Sequence, residues 1–185
     1  MTSKTSKQQS KRNSKNLPKT KTQLVAILDN IRSLYNVGSI FRTSDAFAIE
    51  HLYLCGITGT PQDQLHKKRI SKTSLGAEEN LPWSYSNNTL DVVTKLKEQG
   101  FTIISLELTP NSIPISQLSD KLTETSQLAL IIGHELFGVS EAALNESDII
   151  THIPMQGQKE SLNVTVAYGI ASFYLKTPNA QGFTK

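Results

Sequence analysis

Short apolar runs alternate along the chain with segments whose apolar residues recur at helical spacing. Five runs have the length and composition of strands, at 24–29, 51–57, 101–108, 128–133 and 148–154. Four segments are predicted helices: one that begins after an Asn36 N-cap, then 90–100, 140–146 and 161–176. Because continuous apolar strands that alternate with helices are typical of a parallel sheet covered on both faces, the pattern predicts an α/β fold.

Polar and chain-breaking residues set the remaining boundaries. Residues 58–90 contain glycine, proline and a basic cluster, and they are predicted to be mostly loop. Ser161 is the expected N-cap of the last helix, with Asn163 at position N2, and Pro178 stops that helix after Thr177. With no internal repeat, the chain is predicted to form one domain over residues 23–177, followed by a short tail at 178–185.

Charge is distributed unevenly between the N-terminus and the rest of the chain. The first 22 residues hold seven of the 19 basic residues and no acid, so the other 12 basic residues face all 16 acidic ones. Such a segment is too polar to fold and is predicted to be a disordered basic arm. It is either a polyanion-binding arm or a solubilising leader. The candidate RNA-binding residues of the arm are Lys11, Arg12, Lys15, Lys19 and Lys21.

Several classes of protein lack support in the sequence. No run reaches the roughly 18 apolar residues of a membrane span, and the N-terminus has no secretory signal. The single Cys55 lies in an apolar run and forms no intrachain disulfide, which fits a reducing, cytoplasmic location. Four scattered histidines predict no metal site. Neither the dinucleotide fingerprint G-x-G-x-x-G nor a phosphate-binding P-loop motif is present.

Three polar segments follow predicted strands, where ligands bind in open α/β sheets. They are "NVGSIFRT", "GHELFGVS" and "IPMQGQKESLN". Each has an ordinary structural explanation when taken alone. Asn36 can cap a helix that leaves Arg42 in solvent, Glu135 can face either solvent or a ligand, and Ser161 can be a simple cap.

Jointly, the three segments resemble the motifs of SpoU-type (TrmH-like) RNA 2′-O-ribose methyltransferases of the SPOUT class. The pattern N-x-G-x-x-x-R-T is met by Asn36, Gly38, Arg42 and Thr43. The pattern G-x-E-x-x-G-[VL]-S is met by Gly133, Glu135, Gly138, Val139 and Ser140. The pattern I-P-M-x-G-x-x-x-S-L-N-V-[ST]-V-A is met from Ile153 to Ala167. The resemblance extends over roughly residues 22–176.

The resemblance implies a fold, a cofactor and an assembly. The fold is a mainly parallel α/β sheet whose C-terminal part is tied in a deep trefoil knot. The cofactor is S-adenosylmethionine, held in the knot, and the assembly is a homodimer with its active sites at the subunit interface. By position in the motifs, the implied cofactor-binding residues are Leu106, Gly133, Ile153, Met155, Ser161 and Leu162.

The resemblance also implies a catalytic set of Arg42, Asn36, Glu135, Ser161 and Asn163. A guanidinium is effectively always protonated, so we expect Arg42 to clamp an RNA phosphate and stabilise the developing alkoxide instead of acting as a base. Asn36, Glu135 and Asn163 are expected to fix its geometry.

The RNA substrate is less well defined than the chemistry. Small family members without an extra RNA-binding domain often act on tRNA, so the resemblance favours tRNA over rRNA. The alternatives are an rRNA methyltransferase and an RNA-binding protein of the same class without catalysis. An ordinary Rossmann-type nucleotide-binding or hydrolase domain is disfavoured by the missing glycine fingerprint.

Overall fold

A computed structural model describes residues 22–122 and 126–177. The arm up to Lys21, with its candidate RNA-binding residues, and the tail at 178–185 lie outside the described residues. The described chain forms one parallel sheet in the order β3-β2-β1-β6-β4-β7-β5. The strands are β1 Gln23–Asp29, β2 His51–Cys55, β3 Trp83–Ser86, β4 Thr102–Leu106, β5 Ile113–Pro114, β6 Gln127–Ile132 and β7 Ile149–His152. The predicted α/β class is confirmed.

Helices cover both faces of this sheet. They are α1 Leu34–Ala46, α2 Gln64–Ser74, α3 Ala77–Asn80, α4 Thr89–Glu98, α5 Glu141–Asn145 and α6 Val164–Lys176, with a 3₁₀ helix at Ile115–Asp120. Strand β1 shows the division into layers, because successive side chains of a strand point to opposite faces. Leu24, Ala26 and Leu28 pack in the cluster that contains residues of α1 and α6. Val25 and Ile27 pack in the cluster that contains residues of α4 and α5.

The prediction of a loop over residues 58–90 is wrong, because α2, α3 and β3 lie within it. Helix α2 begins after Asp63, whose Oδ1 accepts hydrogen bonds from the backbone N–H groups of Leu65 and His66 at 2.8 and 3.0 Å. Its buried residues are only Ile70 and Ser74, and Leu65 is 80% exposed. So narrow a buried stripe leaves almost no helical periodicity in the sequence.

Two predicted helix starts are also wrong by a few residues. Helix α1 is capped by Ser33, which accepts from the backbone N–H of Asn36, so Asn36 is at N3. Helix α6 is capped by Asn163, whose Oδ1 accepts from the backbone N–H of Thr165 at 2.9 Å, and Ser161 precedes the helix. Serine and asparagine are both good caps, so the local sequence does not distinguish these alternatives. The correction matters because it frees the Asn36 and Ser161 side chains for other contacts.

Helix α6 packs on α1 through a buried hydrogen bond. The Ser44 hydroxyl donates to the carbonyl oxygen of Ile40 at 2.7 Å, so its contact with the Tyr168 hydroxyl at 2.6 Å is donated by the tyrosine. Burial raises the pKa of Tyr168 to about 12, which keeps this donor protonated.

The end of α6 is attached to the beginning of β1. The buried Lys176 Nζ donates to Glu50 Oε1 at 3.0 Å and to the carbonyl oxygen of Thr22 at 3.2 Å. Glu50 Oε2 in turn accepts from the backbone N–H of Leu24 at 2.7 Å. Because the lysine is buried and both charges are hydrogen-bonded, this contact fixes the first and last elements of the domain together.

Replacing Gly38 with alanine is expected to destabilise the protein by about 1 to 3 kcal/mol. A Cβ at this position would overlap the carbonyl oxygen of Ile70 and the Thr73 hydroxyl, because α1 and α2 touch here. Gly169→Ala is the matched control, since it is also inside a helix but its Cβ would meet only Thr43 Cγ2 at 3.9 Å. The control should gain about 0.5 to 1 kcal/mol from reduced backbone entropy. Urea unfolding measures both, and equal free energies of unfolding would contradict the α1–α2 contact.

Candidate active site

Two adjoining cavities open at the carboxyl ends of the central strands. They share His134, Glu135 and Leu136, which belong to the loop after β6. A parallel sheet brings the ends of β1, β6, β4 and β7 to one edge, which is where open α/β sheets bind ligands. The loops that follow these strands therefore contribute to the walls of both cavities.

We call one of these two cavities the acidic cavity. It is lined by Leu106, Glu107, Leu108, Ile132, Gly133, His134, Glu135, Leu136, Gly138, His152, Ile153, Met155, Glu160, Ser161, Leu162, Val164 and Ala167. All six residues predicted to bind the cofactor lie on this wall. The lining has three carboxylates and no lysine or arginine among the described residues, so the cavity has the charge and the apolar surface expected for an organic cation.

A tight turn between β6 and α5 forms one side of the acidic cavity. The backbone N–H groups of His134 and Gly138 donate to each other's carbonyl oxygens at 2.9 Å. A Cβ on Gly133 would overlap the backbone of Gly138 and Val139. Glycine at position 133 is thus required by the close approach of the two sides of the turn.

Glu107 fixes this turn and was missed by the sequence analysis. Its Oε2 accepts from the backbone N–H of Val139 at 2.9 Å, and its Oε1 accepts from that of Leu108 at 3.1 Å. The only sign of this role in the sequence is that a carboxylate directly follows β4. The backbone N–H of Val139, which the carboxylate binds, is too distant in the sequence to be recognised as its partner.

Glu135 holds the first turn of α1 against the loop after β6. Its Oε2 accepts from the backbone N–H of Arg32, while its Oε1 accepts from the backbone N–H of Ser33, each at 3.0 Å. Asn36 Nδ2 donates to the same Oε1 at 2.8 Å. Partial burial acts to raise the pKa of Glu135, but the hydrogen bonds from Ser33, Arg32 and Asn36 outweigh it and the pKa is lowered. The carboxylate therefore stays ionised and joins two of the three motifs.

Glu135→Gln is expected to reduce the free energy of unfolding by roughly 1 to 2 kcal/mol at neutral pH. Glutamine has one carbonyl oxygen for three donors and turns an NH₂ group toward an N–H. Because the folded-state pKa of Glu135 is lowered, its contribution is complete above the unfolded-state pKa and disappears as pH falls through the folded-state pKa. The urea midpoints of wild type and variant should therefore differ at neutral pH and converge as the pH is lowered. The exposed Glu141→Gln serves as control, and parallel pH curves for all three proteins would contradict this role.

We call the second the basic cavity, with a volume of about 520 Å³. Besides the three shared residues, its lining consists of Arg32, Ser33, Leu34, Tyr35, Asn36, Ile57, Gly59, His66 and Arg69. Its one carboxylate, Glu135, is outnumbered by the two guanidinium groups of Arg32 and Arg69. The charged side chains of the lining therefore carry a net positive charge, which suits an anionic ligand.

Arg42 and Asn163 lie outside both cavities. Arg42 is exposed on α1, about 10 Å along the helix axis from Tyr35, and makes no hydrogen bond or ion pair within residues 22–122 and 126–177. The Asn163 side chain accepts from the backbone N–H and the hydroxyl of Thr165. The expectation that Asn36, Glu135 and Asn163 hold Arg42 in place is therefore not met within a single chain.

Two further observations concern the described part of the chain. It contains no group of three or more histidine, cysteine, aspartate or glutamate side chains placed to hold a metal ion. None of its helices is long and apolar enough to span a membrane.

The model of the SpoU rRNA methylase family matches residues 23–173. The chain belongs to the SpoU family. Among curated relatives, an uncharacterised tRNA/rRNA methyltransferase from Borreliella burgdorferi is 30% identical, with 85% of this chain and 65% of the relative covered. A tRNA (guanosine(18)-2′-O)-methyltransferase from Aquifex aeolicus is 29% identical, with coverage of 83% and 69%. A 23S rRNA (guanosine-2′-O-)-methyltransferase from Nitrosomonas europaea is 29% identical, with coverage of 83% and 56%. The chain thus spans between about half and two-thirds of the length of these relatives.

Solved SpoU structures share the fold. The tRNA-modifying enzyme of A. aeolicus superposes with a TM-score of 0.73 at 26% identity, covering 86% of this chain and 77% of that one. An S-adenosylmethionine-bound rRNA methyltransferase from Sinorhizobium meliloti superposes with a TM-score of 0.74 at 23% identity, covering 85% and 56%. The described chain therefore has the fold of these SpoU structures.

Proposed function

We propose that this protein transfers a methyl group from S-adenosylmethionine to a ribose 2′-hydroxyl of RNA. One observation carries the proposal: an acidic and a basic cavity adjoin at the Glu135 loop. A cationic donor and a polyanionic acceptor need neighbouring sites of opposite charge, and in-line transfer needs the two reacting groups close and aligned. Membership of the SpoU family supports the same reaction class.

The acidic cavity is the proposed cofactor site. When bound there, the cofactor supplies a methyl group activated by its positive sulfonium. Glu107 and Glu160 give the cavity a charge that favours this cation over a neutral product. Leu106, Ile153 and Leu162 supply apolar wall for the adenosyl group, while Gly133, Met155 and Ser161 complete the lining. The S. meliloti relative, which was solved with S-adenosylmethionine, supports the assignment.

The basic cavity is the proposed acceptor site. Asn36 lines it and has its side chain oriented by the 2.8 Å hydrogen bond to Glu135. We assign Asn36 and Glu135 to positioning the ribose, and Arg42 to clamping a phosphate and stabilising the negative charge that develops on the attacking oxygen. Asn163 acts through its cap, which sets the direction of the Ser161–Leu162 segment on the cofactor wall.

The proposal includes a homodimer with shared active sites. Helix α6 exposes an apolar stripe of Val166, Ile170 and Phe173, which are between 40 and 49% exposed and share one helix face. Phe173 lies beside α1, with its ring centroid 6.1 Å from that of Phe47. Pairing two copies over this surface would cover the stripe and bring Arg42 of one copy toward the cavities of the other. That arrangement would explain why Arg42 has no partner within the described part of its own chain.

We also assign a deep trefoil knot to the C-terminal part of the domain. Strand β7 lies beyond β4, away from β6, and α6 then returns to pack on α1. In the proposed knot, the chain that makes this return crosses the connection between β4 and β6. Threading the return beneath that connection gives the knot, and the position of the acidic cavity among these loops supports it.

We favour tRNA as the substrate over rRNA. SpoU relatives of both kinds match this chain at 29% identity. Among the solved structures, the A. aeolicus tRNA-modifying enzyme is 26% identical and the S. meliloti rRNA methyltransferase is 23% identical, which supports the preference for tRNA.

Calorimetry with S-adenosylmethionine, followed by transfer of a labelled methyl group to total tRNA or to rRNA, tests the function. We expect one cofactor site per chain, label in tRNA, and a 2′-O-methylated nucleoside after digestion. Cofactor binding without label in either RNA would indicate a non-catalytic RNA-binding protein. Failure to bind the cofactor at all would overturn the proposal.

A further inference from the structure

Helix α2 places cationic side chains on a cavity that the three motifs only partly build. The motifs account for Asn36 and Glu135, whereas His66 and Arg69 of α2 form the facing part of the basic cavity. The sequence analysis placed the basic cluster at 67–69 in a predicted loop. In the structure it is helical, and its members differ in position: Arg69 lines the cavity, while Lys68 is exposed and does not.

The Arg69 guanidinium is available to a ligand. It makes no hydrogen bond or ion pair with the described residues, and the same holds for the Arg32 side chain. By contrast, the neighbouring Lys67 Nζ lies 3.9 Å from Glu79. Two unpaired arginines beside one cavity repel each other, so an anion between them relieves that repulsion.

His66 adds a third nitrogen-bearing side chain to this wall. The residue lines the cavity, and its buried Nδ1 has no hydrogen-bond partner among the described residues, so that nitrogen is not committed to another described group. The ring packs beside Gly59, where an added Cβ would come within 3.1 Å of Nδ1. The imidazole therefore lies close to the Gly59 backbone in the cavity wall.

The position of α2 is fixed before any ligand binds. Asp63 caps its first turn, and the Thr73 hydroxyl donates to the carbonyl oxygen of Tyr35 at 2.9 Å. The close contact at Gly38 sets the spacing of α1 and α2 between these points. The donors of α2 are thus held on the same rigid frame as Asn36, so little ordering is needed on binding.

We propose that His66 and Arg69, together with Arg32, form a phosphate subsite for the RNA strand that carries the methyl acceptor. The proposal rests on the function proposed above and deepens it by assigning α2 to acceptor positioning. A guanidinium suits a phosphodiester because its planar donors match two phosphate oxygens. The subsite adjoins Asn36 across the shared cavity, so a bound phosphate orients the neighbouring ribose toward the Glu135 loop.

Arg69→Gln and Lys68→Gln form the matched pair that tests the subsite. Both remove one positive charge from the exposed surface of α2, but only Arg69 lines the cavity. Binding of total tRNA is measured over a series of salt concentrations. Arg69→Gln should weaken binding roughly tenfold and reduce the salt slope by about 1, whereas Lys68→Gln should stay within about twofold of wild type.

Arg69→Lys and the cofactor affinity complete the test. Arg69→Lys keeps the charge and should restore the salt slope while the KM for RNA stays raised, because an ammonium lacks the planar fork. Calorimetry should give the same Kd for S-adenosylmethionine in all four proteins. Equal tRNA affinity and slope for Arg69→Gln and Lys68→Gln would overturn the subsite. A wild-type protein that binds no cofactor would instead overturn the proposed function, so the two failures are distinguishable.

Discussion

Arg42→Ala should lower the rate of RNA methylation by about a hundredfold or more, the usual effect of removing a group that stabilises transition-state charge. Cofactor binding should be unchanged, because Arg42 does not line the acidic cavity. The free energy of unfolding should also be unchanged, because the exposed Arg42 makes no hydrogen bond or ion pair with described residues. The rate is measured under single-turnover conditions with saturating RNA, and the affinity by calorimetry.

Arg42→Lys separates charge from geometry. The lysine keeps the positive charge but cannot make two parallel hydrogen bonds to a phosphate, so we expect an intermediate rate. Wild-type activity in Arg42→Lys would rule out an essential guanidinium. Wild-type activity in Arg42→Ala would remove the residue from the catalytic set altogether.

Gly133→Ala should abolish measurable cofactor binding and, with it, methyl transfer. The new Cβ would overlap the backbone of Gly138 and Val139, and backbone cannot rotate away as a side chain can. The turn has to open, which breaks the paired hydrogen bonds between His134 and Gly138 and moves one wall of the acidic cavity. The expected cost of this overpacking is about 1 to 3 kcal/mol of stability. Calorimetry measures the affinity, and urea unfolding measures the stability.

Gly157→Ala is the control for this substitution. It lies in the loop before α6, and a Cβ there would meet nothing within 4 Å. It should therefore bind the cofactor and methylate RNA as wild type does. If Gly133→Ala also behaved as wild type, the turn would be more adaptable than its packing indicates.

The two damaging variants together test whether active sites are shared between subunits. Arg42→Ala has an intact acidic cavity, and Gly133→Ala has an intact Arg42. If Arg42 of one copy serves the cavity of the other, a heterodimer of the two variants contains one complete site. If each site is built from one chain, the heterodimer contains none. Co-expression with two different tags isolates the heterodimer, and its activity should be about half that of wild type under sharing.

The sequence was sufficient for the fold class because the central strands β1 and β6 each contain an uninterrupted run of five apolar residues. Strands β1 and β6 are buried on both faces, so neither shows alternation, and such runs are typical of parallel sheets. It was insufficient for α2 because that helix buries only Ile70 and Ser74. The N-cap of α1 could not be assigned from the sequence either, since serine and asparagine are both good N-cap residues and Ser33 and Asn36 are both available. What decides between them is Glu135, which is distant in sequence and engages the Asn36 side chain.

The acidic cavity was predicted better than the basic one for a physical reason. Most of its wall comes from loops that follow β6 and β7, and these loops contain contiguous motifs. The basic cavity depends on how α2 packs against α1, through Gly38 and Thr73. His66 and Arg69 come near Asn36 only by that packing, and their spacing in the sequence gives no indication of it.

The attachment of Lys176 to Glu50 and Thr22 determines where the N-terminal segment of the sequence joins the folded domain. The contact of Lys176 with Glu50 and Thr22 lies at the amino ends of the parallel strands, whereas both cavities lie at the carboxyl ends. β1 alone, with seven residues, separates the two ends by about 23 Å. The described chain therefore begins, at Thr22, at the end of the sheet opposite the cavities. Shortening the basic segment should therefore weaken RNA capture while leaving the geometry at the methylated ribose unchanged.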